Sequence, residues 1–188
     1  EKIADHEKDD FSKSLLIIVK QIKQIENLVN EFSDFARMPK PILKDNNLVS
    51  LIKDNIKLIN ELDTSIIIDF KTIKSDILLN SDTEQLSRVF FNLIKNSIES
   101  IQDKKIDNIN LIGKIDISIE ESSDKINFII IDNGLGFGIF ADNIKDILNP
   151  YFTTKKKGTG LGLSIVNKII NDHNGKINFV SLENGAKI

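Results

Sequence analysis

Apolar residues in the N-terminal part of the chain recur at alternating spacings of four and three, which predicts one long helix. The seam consists of Phe11, Leu15, Ile18, Ile22, Ile25, Val29, Phe32 and Ala36. A single apolar stripe needs a partner helix to be stable, and this region contains only one helical pattern. We therefore expect the partner to lie in another part of the protein or in a second chain. The alternative is a helix that lies on its own domain.

Two prolines, Pro39 and Pro41, end this helix and mark a domain boundary. Beyond them helical patterns at 48–59, 86–101 and 161–172 alternate with strand patterns at 66–70, 77–79, 114–120, 126–131 and 176–182. A further strand begins at 186–188 and is cut short. Asn47 and Asp82 are candidate helix caps, with Gln85 at the capping-box position. This order predicts an α+β fold, a two-layer sandwich with helices on one face of a mixed, mostly antiparallel sheet.

Composition narrows the classes of function. The 188 residues include no cysteine and two histidines, which excludes thiolate chemistry and disfavours a histidine-rich metal site. A net charge of −3 gives no general attraction to nucleic acid or to anionic lipid. No apolar run approaches the ~20 residues of a membrane span. The chain begins at Glu1 rather than Met, so we expect it to be part of a longer protein.

The first candidate site is the sequence from Asp132 to Gly136, where a buried strand pattern ends in an acid followed by alternating glycines. A carboxylate at a strand end can accept a hydrogen bond from an amino group such as that of adenine. Gly134 and Gly136 would let the backbone approach a flat ligand. An ordinary Asp-Asn-Gly turn is the simpler alternative for these residues alone.

The second candidate is the glycine-rich run that leads into the last helix, Gly158, Thr159, Gly160, Leu161 and Gly162. Exposed backbone N–H groups and the helix dipole favour an anion at such a helix start, which suggests a phosphate cradle. The spacing differs from both the dinucleotide-binding glycine motif and the P-loop. A flexible hinge is the alternative.

Polar residues on the central helix form a third candidate. Asn92, Asn96 and Glu99 share one face at positions i, i+4 and i+7, and amide oxygens suit Mg²⁺. Tyr151 and Phe152, followed by the basic run 155–157, have the composition of a mobile lid with cations for phosphates. Each of these could instead be a solvated surface.

The order of these four segments resembles the nucleotide-binding boxes of the histidine-kinase ATP-binding domain, the Bergerat fold of the GHKL superfamily, over residues 46–188. The sequence from Glu31 to Pro41 resembles the end of the dimerisation helix in NtrY-type nitrogen-regulation sensor kinases. The resemblance implies two parts. Residues 1–41 would be the second helix of a dimerisation and phosphotransfer domain, and residues 42–188 the ATP-binding catalytic domain with its last strand truncated.

The resemblance also implies roles for individual residues. Asp132 would bind the adenine amine, with Gly134 and Gly136 shaping its pocket. Asn96 would ligate Mg²⁺ and Asn92 would lie beside the triphosphate. The phosphate side and the lid hinge would be formed by Lys155, Gly158, Thr159, Gly160, Leu161 and Gly162.

Asn92 separates subgroups of the superfamily. The gyrase, Hsp90 and MutL-like ATPases carry a glutamate base at the position of Asn92, and an amide cannot take up a proton. The resemblance therefore implies phosphoryl transfer to a protein histidine rather than hydrolysis. That acceptor is absent here, because His6 lacks the proline that follows the family's histidine and lies too near Phe32. His173 is predicted to be a helix-end residue.

The resemblance implies that this chain is a cytoplasmic part of a bacterial sensor histidine kinase. The full-length kinase is a candidate for anchoring in the inner membrane. Its partners would be a second copy, through the heptad helix, and a response-regulator receiver domain. The cofactors would be ATP and Mg²⁺. Two alternatives remain: a nucleotide-sensing module without transfer, and a protein-serine kinase of the anti-sigma-factor type, which the heptad helix disfavours.

Overall fold

The computed structural model describes residues 2–62, 64–123, 125–138, 146–153, 155 and 158–188, with the backbone alone at 2–9, 27, 34 and 62. The chain forms two compact units, Glu1–Pro39 and Lys40–Ile188. The division falls between the two prolines that the sequence marks as helix breakers, because neither ring is compatible with a continuing helix.

The first unit is one helix, α1, which spans Lys2–Ala36 over 35 residues. The seam side chains Phe11, Ile18 and Ile25 are 69%, 53% and 62% exposed. Apolar side chains outside the seam are exposed as well, among them Leu16 at 70% and Ile17 at 60%. Apolar exposure of this extent is typical of a helix that packs against other helices in an assembly. Among the residues that the structure describes, no helix is sufficiently long and apolar to cross a membrane.

Within its described residues, the second unit has three α-helices and two sheets. The elements are β1 Lys44–Asn47, α2 Leu48–Leu62, β2 Ile66–Lys71, β3 Leu78–Ser81, α3 Thr83–Asp107, β4 Gly113–Glu121, β5 Ile126–Asp132, α4 Gly162–Asp172, β6 Val180–Leu182 and β7 Gly185–Lys187. A sheet of two strands pairs β1 with β3, and a sheet of five strands has the order β2-β4-β5-β7-β6. Strands β2 and β4 run parallel, and the other paired strands run antiparallel.

Helix α3 is the centre of the core. Its inward face is buried against β4 and β5, and it lies between α2 and α4. On β4 the side chains of Ile115, Ile117 and Ile119 are buried while the residues between them are not, which is the alternation expected for a sheet with one covered face. The α+β class predicted from the sequence is confirmed, with helices packed on a mixed sheet.

Several predicted elements differ in detail. The segment predicted as a strand at 77–79 belongs to the small sheet, where its partner β1 is a run of four polar residues without strand-like alternation. The strand predicted at 176–182 is confined to Val180–Leu182. Residues 186–188 pair with the centre of the sheet, and Ile188 exchanges two backbone hydrogen bonds with Ile130.

Both predicted helix caps are present. Asn47 Oδ1 accepts from the Val49 N–H at 3.0 Å, and Asp82 Oδ1 accepts from the Gln85 N–H at 3.1 Å. The capping box is not complete, because the Asp82 N–H donates to His173 Nε2 at 3.0 Å. Burial acts to raise the pKa of Asp82, but hydrogen bonds from three backbone N–H groups outweigh it and lower that pKa.

We expect Ile101→Ala to lower the free energy of unfolding by about 2–4 kcal/mol, because the side chain is fully buried and the cavity cannot close completely. Urea unfolding followed by circular dichroism measures this change. The matched control is Ile106→Ala on the same helix, where the side chain is 79% exposed and the change should stay within about 0.5 kcal/mol. Equal losses at the two positions would contradict the assigned core.

Candidate functional site

Asp132 is the last residue of β5 and is only 4% exposed. Its Oδ2 accepts from the Ser97 hydroxyl at 3.0 Å, and its Oδ1 accepts from the Gly134 N–H at 2.9 Å. Each carboxylate oxygen has two lone pairs, so the group can accept from a further donor. A buried acid with remaining acceptor capacity is suited to recognising an amino group on a ligand.

Burial raises the pKa of the Asp132 carboxyl above its ordinary value. Hydrogen bonds from Gly134, Ser97 and the Ala186 backbone act in the opposite direction, as does the positive charge of Lys104. Desolvation is the largest of these effects, so ionisation of this buried side chain costs free energy. Perturbed acids of this kind concentrate at functional sites.

The loop after Asp132 is held in place by side chains from α3. The Lys104 ammonium donates to the carbonyl oxygens of Asn133 and Gly134 at 3.0 and 2.9 Å, and the Ser100 hydroxyl accepts from the Leu135 N–H at 3.0 Å. Gly134 lies so close to Ser100 that a β-carbon would clash with its backbone. The acid and its glycine loop are therefore fixed to one helix.

The far side of the same loop lies against β7. An added β-carbon on Gly136 would come within 2.6 Å of the Gly185 carbonyl oxygen. The Phe137 ring packs edge-on against Phe179, with 5.5 Å between ring centroids. Gly136 therefore shapes the loop at its contact with β7.

The polar edge of α3 continues from Ser97 to the other predicted residues. Asn96 Oδ1 lies 3.3 Å from the Lys155 ammonium, which also pairs with the Glu99 carboxylate. Asn92 Nδ2 donates to the Arg88 carbonyl at 2.9 Å. Asn92, Asn96 and Glu99 thus face the same side of the helix, as their spacing predicts.

The glycine-rich run lies against this edge at the start of α4. A β-carbon on Gly162 would stand 3.3 Å from Asn92 Oδ1, so no side chain separates the helix start from the amide. Gly160 has φ of +71° and accepts from the Tyr151 N–H at 3.0 Å. This left-handed conformation favours glycine and closes the base of the loop.

The neighbours of Gly160 have different surroundings. Leu161 is fully buried and anchors the start of α4, whereas Thr159 Oγ1 accepts weakly from the Leu161 N–H at 3.4 Å. The Gly158 N–H donates to the Lys155 carbonyl at 3.1 Å. Of the basic run, Lys156 and Lys157 lie outside the described residues.

Three sets of predicted residues are therefore brought to α3. Asp132 accepts from Ser97 and Gly134 lies against Ser100. Lys155 contacts Asn96. Gly162 lies next to Asn92. Gly136 instead contacts β7, and Gly158 lies at the base of the loop. Within the described part of the chain, no group of three or more His, Cys, Asp or Glu side chains could hold a metal.

Four contributing residues carry no predicted role: Ser97, Ser100, Lys104 and Gly185. The sequence pattern could have indicated Ser97, because its hydroxyl lies on the inward face of an otherwise apolar helix and needs a hydrogen-bond partner there. The others act through backbone groups of distant segments, which periodicity does not reveal.

Comparison with known proteins gives the family. The model described as histidine kinase-, DNA gyrase B- and HSP90-like ATPase matches residues 81–188. A putative NtrY-like sensor histidine kinase from Rickettsia felis is 33% identical over 182 residues, 97% of this chain and 29% of that protein. The nitrogen regulation protein NtrY from Azorhizobium caulinodans is 32% identical and covers 91% of this chain. The chain thus spans less than a third of the length of these relatives.

Solved structures agree with this assignment. The catalytic domain of histidine kinase ThkA superposes with a TM-score of 0.66 at 32% identity, over 77% of this chain and 91% of that one. ThkA in complex with the response regulator TrrA gives a TM-score of 0.71 at 27% identity, over 91% of this chain and 47% of that one. The family model matches more than half of the chain and contains all four predicted site segments, so the chain belongs to the histidine kinase-, DNA gyrase B- and HSP90-like ATPase family.

Proposed function

We propose that residues 42–188 bind Mg·ATP and transfer its γ-phosphoryl group to a histidine, as the catalytic part of a sensor histidine kinase. The observation that carries this proposal is the buried Asp132 carboxylate, hydrogen-bonded to α3, the helix whose Asn92 lies next to the glycine-rich start of α4. Recognition of a base and neutralisation of phosphates would then take place along one helix.

The adenine end of the site would be Asp132 with Gly134 and Gly136. The carboxylate would accept from the exocyclic amine while keeping its bonds to Ser97 and Gly134. A purine in place of water would offset part of the cost of burying this acid, because it supplies a hydrogen-bond donor. Specificity for adenine over guanine follows, since guanine presents a carbonyl at the equivalent position.

The phosphate end would be formed by Gly158, Thr159, Gly160, Leu161 and Gly162 with Lys155. Backbone N–H groups at the start of α4 and the helix dipole suit the phosphates there. Asn96 would ligate Mg²⁺, which prefers oxygen ligands and takes few of them from the protein. The metal, when bound, would neutralise developing charge on the phosphates.

Asn92 supports transfer over hydrolysis. Its amide cannot act as a general base for water, and its nitrogen already donates to Arg88. Phosphoryl transfer depends mainly on alignment and charge neutralisation, so a site with few proton-transfer groups suffices. In the proposed step the bond between the γ-phosphorus and the β,γ-bridging oxygen breaks, ADP leaves with that oxygen, and the γ-phosphorus bonds to one imidazole nitrogen of the acceptor while the proton on the other nitrogen passes to solvent.

The acceptor histidine would lie on a helix outside this chain. The exposed apolar seam of α1 supports assembly with further helices, and we propose a homodimeric four-helix bundle of which residues 1–41 form one helix.

A response-regulator receiver domain would then take the phosphate from the acceptor histidine. ThkA, in complex with the regulator TrrA, supports a partner of this class. The chain would work in the bacterial cytoplasm.

We expect Asp132→Asn to weaken ATP binding about 10- to 100-fold, because one charged hydrogen bond to the adenine amine is lost. Equilibrium titration with a fluorescent ATP analogue measures the dissociation constant. Asp116→Asn, which removes the same charge from the neighbouring strand, is the matched control and should bind normally. Equal affinities for wild type and Asp132→Asn would contradict the adenine assignment.

The same variant should change how stability depends on pH. Because its pKa is raised, Asp132 favours the folded state most below the ordinary aspartate pKa, and this contribution diminishes as pH rises through the raised value. Asp132→Asn should therefore lose this fall in stability with rising pH. Thermal unfolding of both proteins between pH 4 and pH 8 tests this, and a variant whose stability falls with pH as steeply as that of wild type would contradict it.

We expect Asn96→Ala to remove most of the Mg²⁺ stimulation of ATP binding, by about tenfold or more, because the proposed metal ligand is gone. Titrations with Mg²⁺ and with a chelator measure the ratio of dissociation constants. The exposed Asn60→Ala provides the control for loss of an amide. A ratio unchanged in Asn96→Ala would rule out this ligand.

Transfer itself can be tested by mixing the chain with a helical fragment of a related kinase that bears the acceptor histidine and adding γ-labelled ATP. We expect label on the helical fragment, and none on the chain incubated alone. Binding of ATP without any transfer would instead favour a nucleotide-sensing module.

A further inference from the structure

Asp82 joins three separate segments of the second unit. Its Oδ2 accepts from the Ile42 N–H at 2.8 Å, its Oδ1 accepts from the Gln85 N–H at 3.1 Å, and its own N–H donates to His173 Nε2 at 3.0 Å. Ile42 belongs to the segment that follows the two prolines, Gln85 to the first turn of α3, and His173 caps the end of α4.

The His173 ring has one arrangement of protons compatible with these contacts. A backbone N–H can only donate, so Nε2 is the acceptor and the proton lies on Nδ1, which donates to the Ile169 carbonyl at 2.8 Å. The ring therefore spans from the last turn of α4 to the first residue before α3. This is the contact that replaces the second half of a capping box.

Helices α3 and α4 approach each other at two places. The Asp82–His173 bond joins the start of α3 to the end of α4, and Asn92, within α3, lies next to Gly162 at the start of α4. Asp82 lies ten residues before Asn92, and Gly162 lies eleven residues before His173, which are lengths of about 15 and 16 Å along each helix. The helices run antiparallel, and a shift of α3 along its axis at Asp82 would move Asn92 relative to Gly162.

The contact with Ile42 connects this pair of helices to the preceding segment of chain. The Ile42 side chain is 70% exposed, so its backbone N–H, rather than its packing, attaches the segment to Asp82. The rings of Pro39 and Pro41 restrict the backbone immediately before it. A displacement of residues 40–43 would therefore act directly on the residue that caps α3.

We propose that Asp82 is a positioning residue through which residues 40–43 control the alignment of α3 with α4, and with it the affinity of the nucleotide site. This inference rests on the proposed function for the identity of the ligand. The proposed effect of residues 40–43 on the alignment of α3 with α4 does not depend on which ligand the site binds.

The experiment breaks the Ile42–Asp82 bond from each side. Ile42→Pro removes the N–H donor, and Ile42→Ala keeps the donor and removes only the exposed side chain. Asp82→Ser retains a hydroxyl that can cap Gln85 but has no second oxygen for Ile42. His173→Phe keeps the ring and removes the acceptor for the Asp82 N–H. Circular dichroism melting of each variant verifies the fold.

Two readouts are measured on the whole chain. The first is the dissociation constant for a fluorescent ATP analogue. The second is hydrogen exchange of the Ile165 amide, which donates to the Leu161 carbonyl at 2.9 Å in the first turn of α4. Ile165 lies eight residues before His173, about 12 Å along α4 from the contact with Asp82. A cap with a merely local role would change exchange in the first turn of α3 and leave Ile165 unaffected.

We expect Ile42→Pro, Asp82→Ser and His173→Phe to weaken nucleotide binding about fivefold or more and to speed exchange at Ile165, while Ile42→Ala stays within about twofold of wild type. Wild-type affinity and exchange in both Ile42→Pro and Asp82→Ser would overturn the proposal. If the wild-type chain binds no nucleotide, the proposed function is wrong. Hydrogen exchange at Ile165 in the variants then tests by itself whether residues 40–43 control the alignment of α3 with α4. If Ile42→Pro unfolds, Asp82→Ser and His173→Phe give the same decision.

Discussion

A carboxylate buried at the end of a central strand constrains everything around it, since it must be hydrogen-bonded wherever it is excluded from water. Asp132 meets this requirement through Ser97 on α3 and the Gly134 N–H in its own loop. The bond to Ser97 joins α3 to the end of β5 in the same orientation as its buried apolar residues. The same orientation brings Asn92 and Asn96 to the edge that meets the start of α4 and the Lys155 ammonium.

This arrangement has a consequence for the pH dependence of folding. Desolvation raises the pKa of Asp132, so the stabilising contribution of this side chain decreases as pH rises through the raised value. The inward face of α3 that carries Ser97 stabilises the fold in turn, because Phe90, Ile94 and Ile101 on that face are almost fully buried against the sheet. One helix thus supplies stability from its apolar face and a proposed binding edge from its polar face.

Much of this could be predicted from residue patterns. The α3 spacing, the Asp82 cap and the strand ending at Asp132 all follow from local rules, since periodicity and capping involve residues close in sequence. Strand β1 was not predicted, because its polar residues pair through the backbone and leave no alternation. The capping box was wrong in its second half, since a distant imidazole takes the donor that Gln85 was expected to satisfy.

The sequence by itself determined the family, the helix-on-sheet class and the residue types of the proposed site, because each depends on short motifs and on the order in which they occur. Only the tertiary structure decided the partners of those residues. The pairing of Lys155 with Asn96, the approach of Gly162 to Asn92 and the contact of His173 with Asp82 join residues far apart in sequence. Such contacts depend on how α3 and α4 pack against each other and the sheet, and no local pattern encodes that packing.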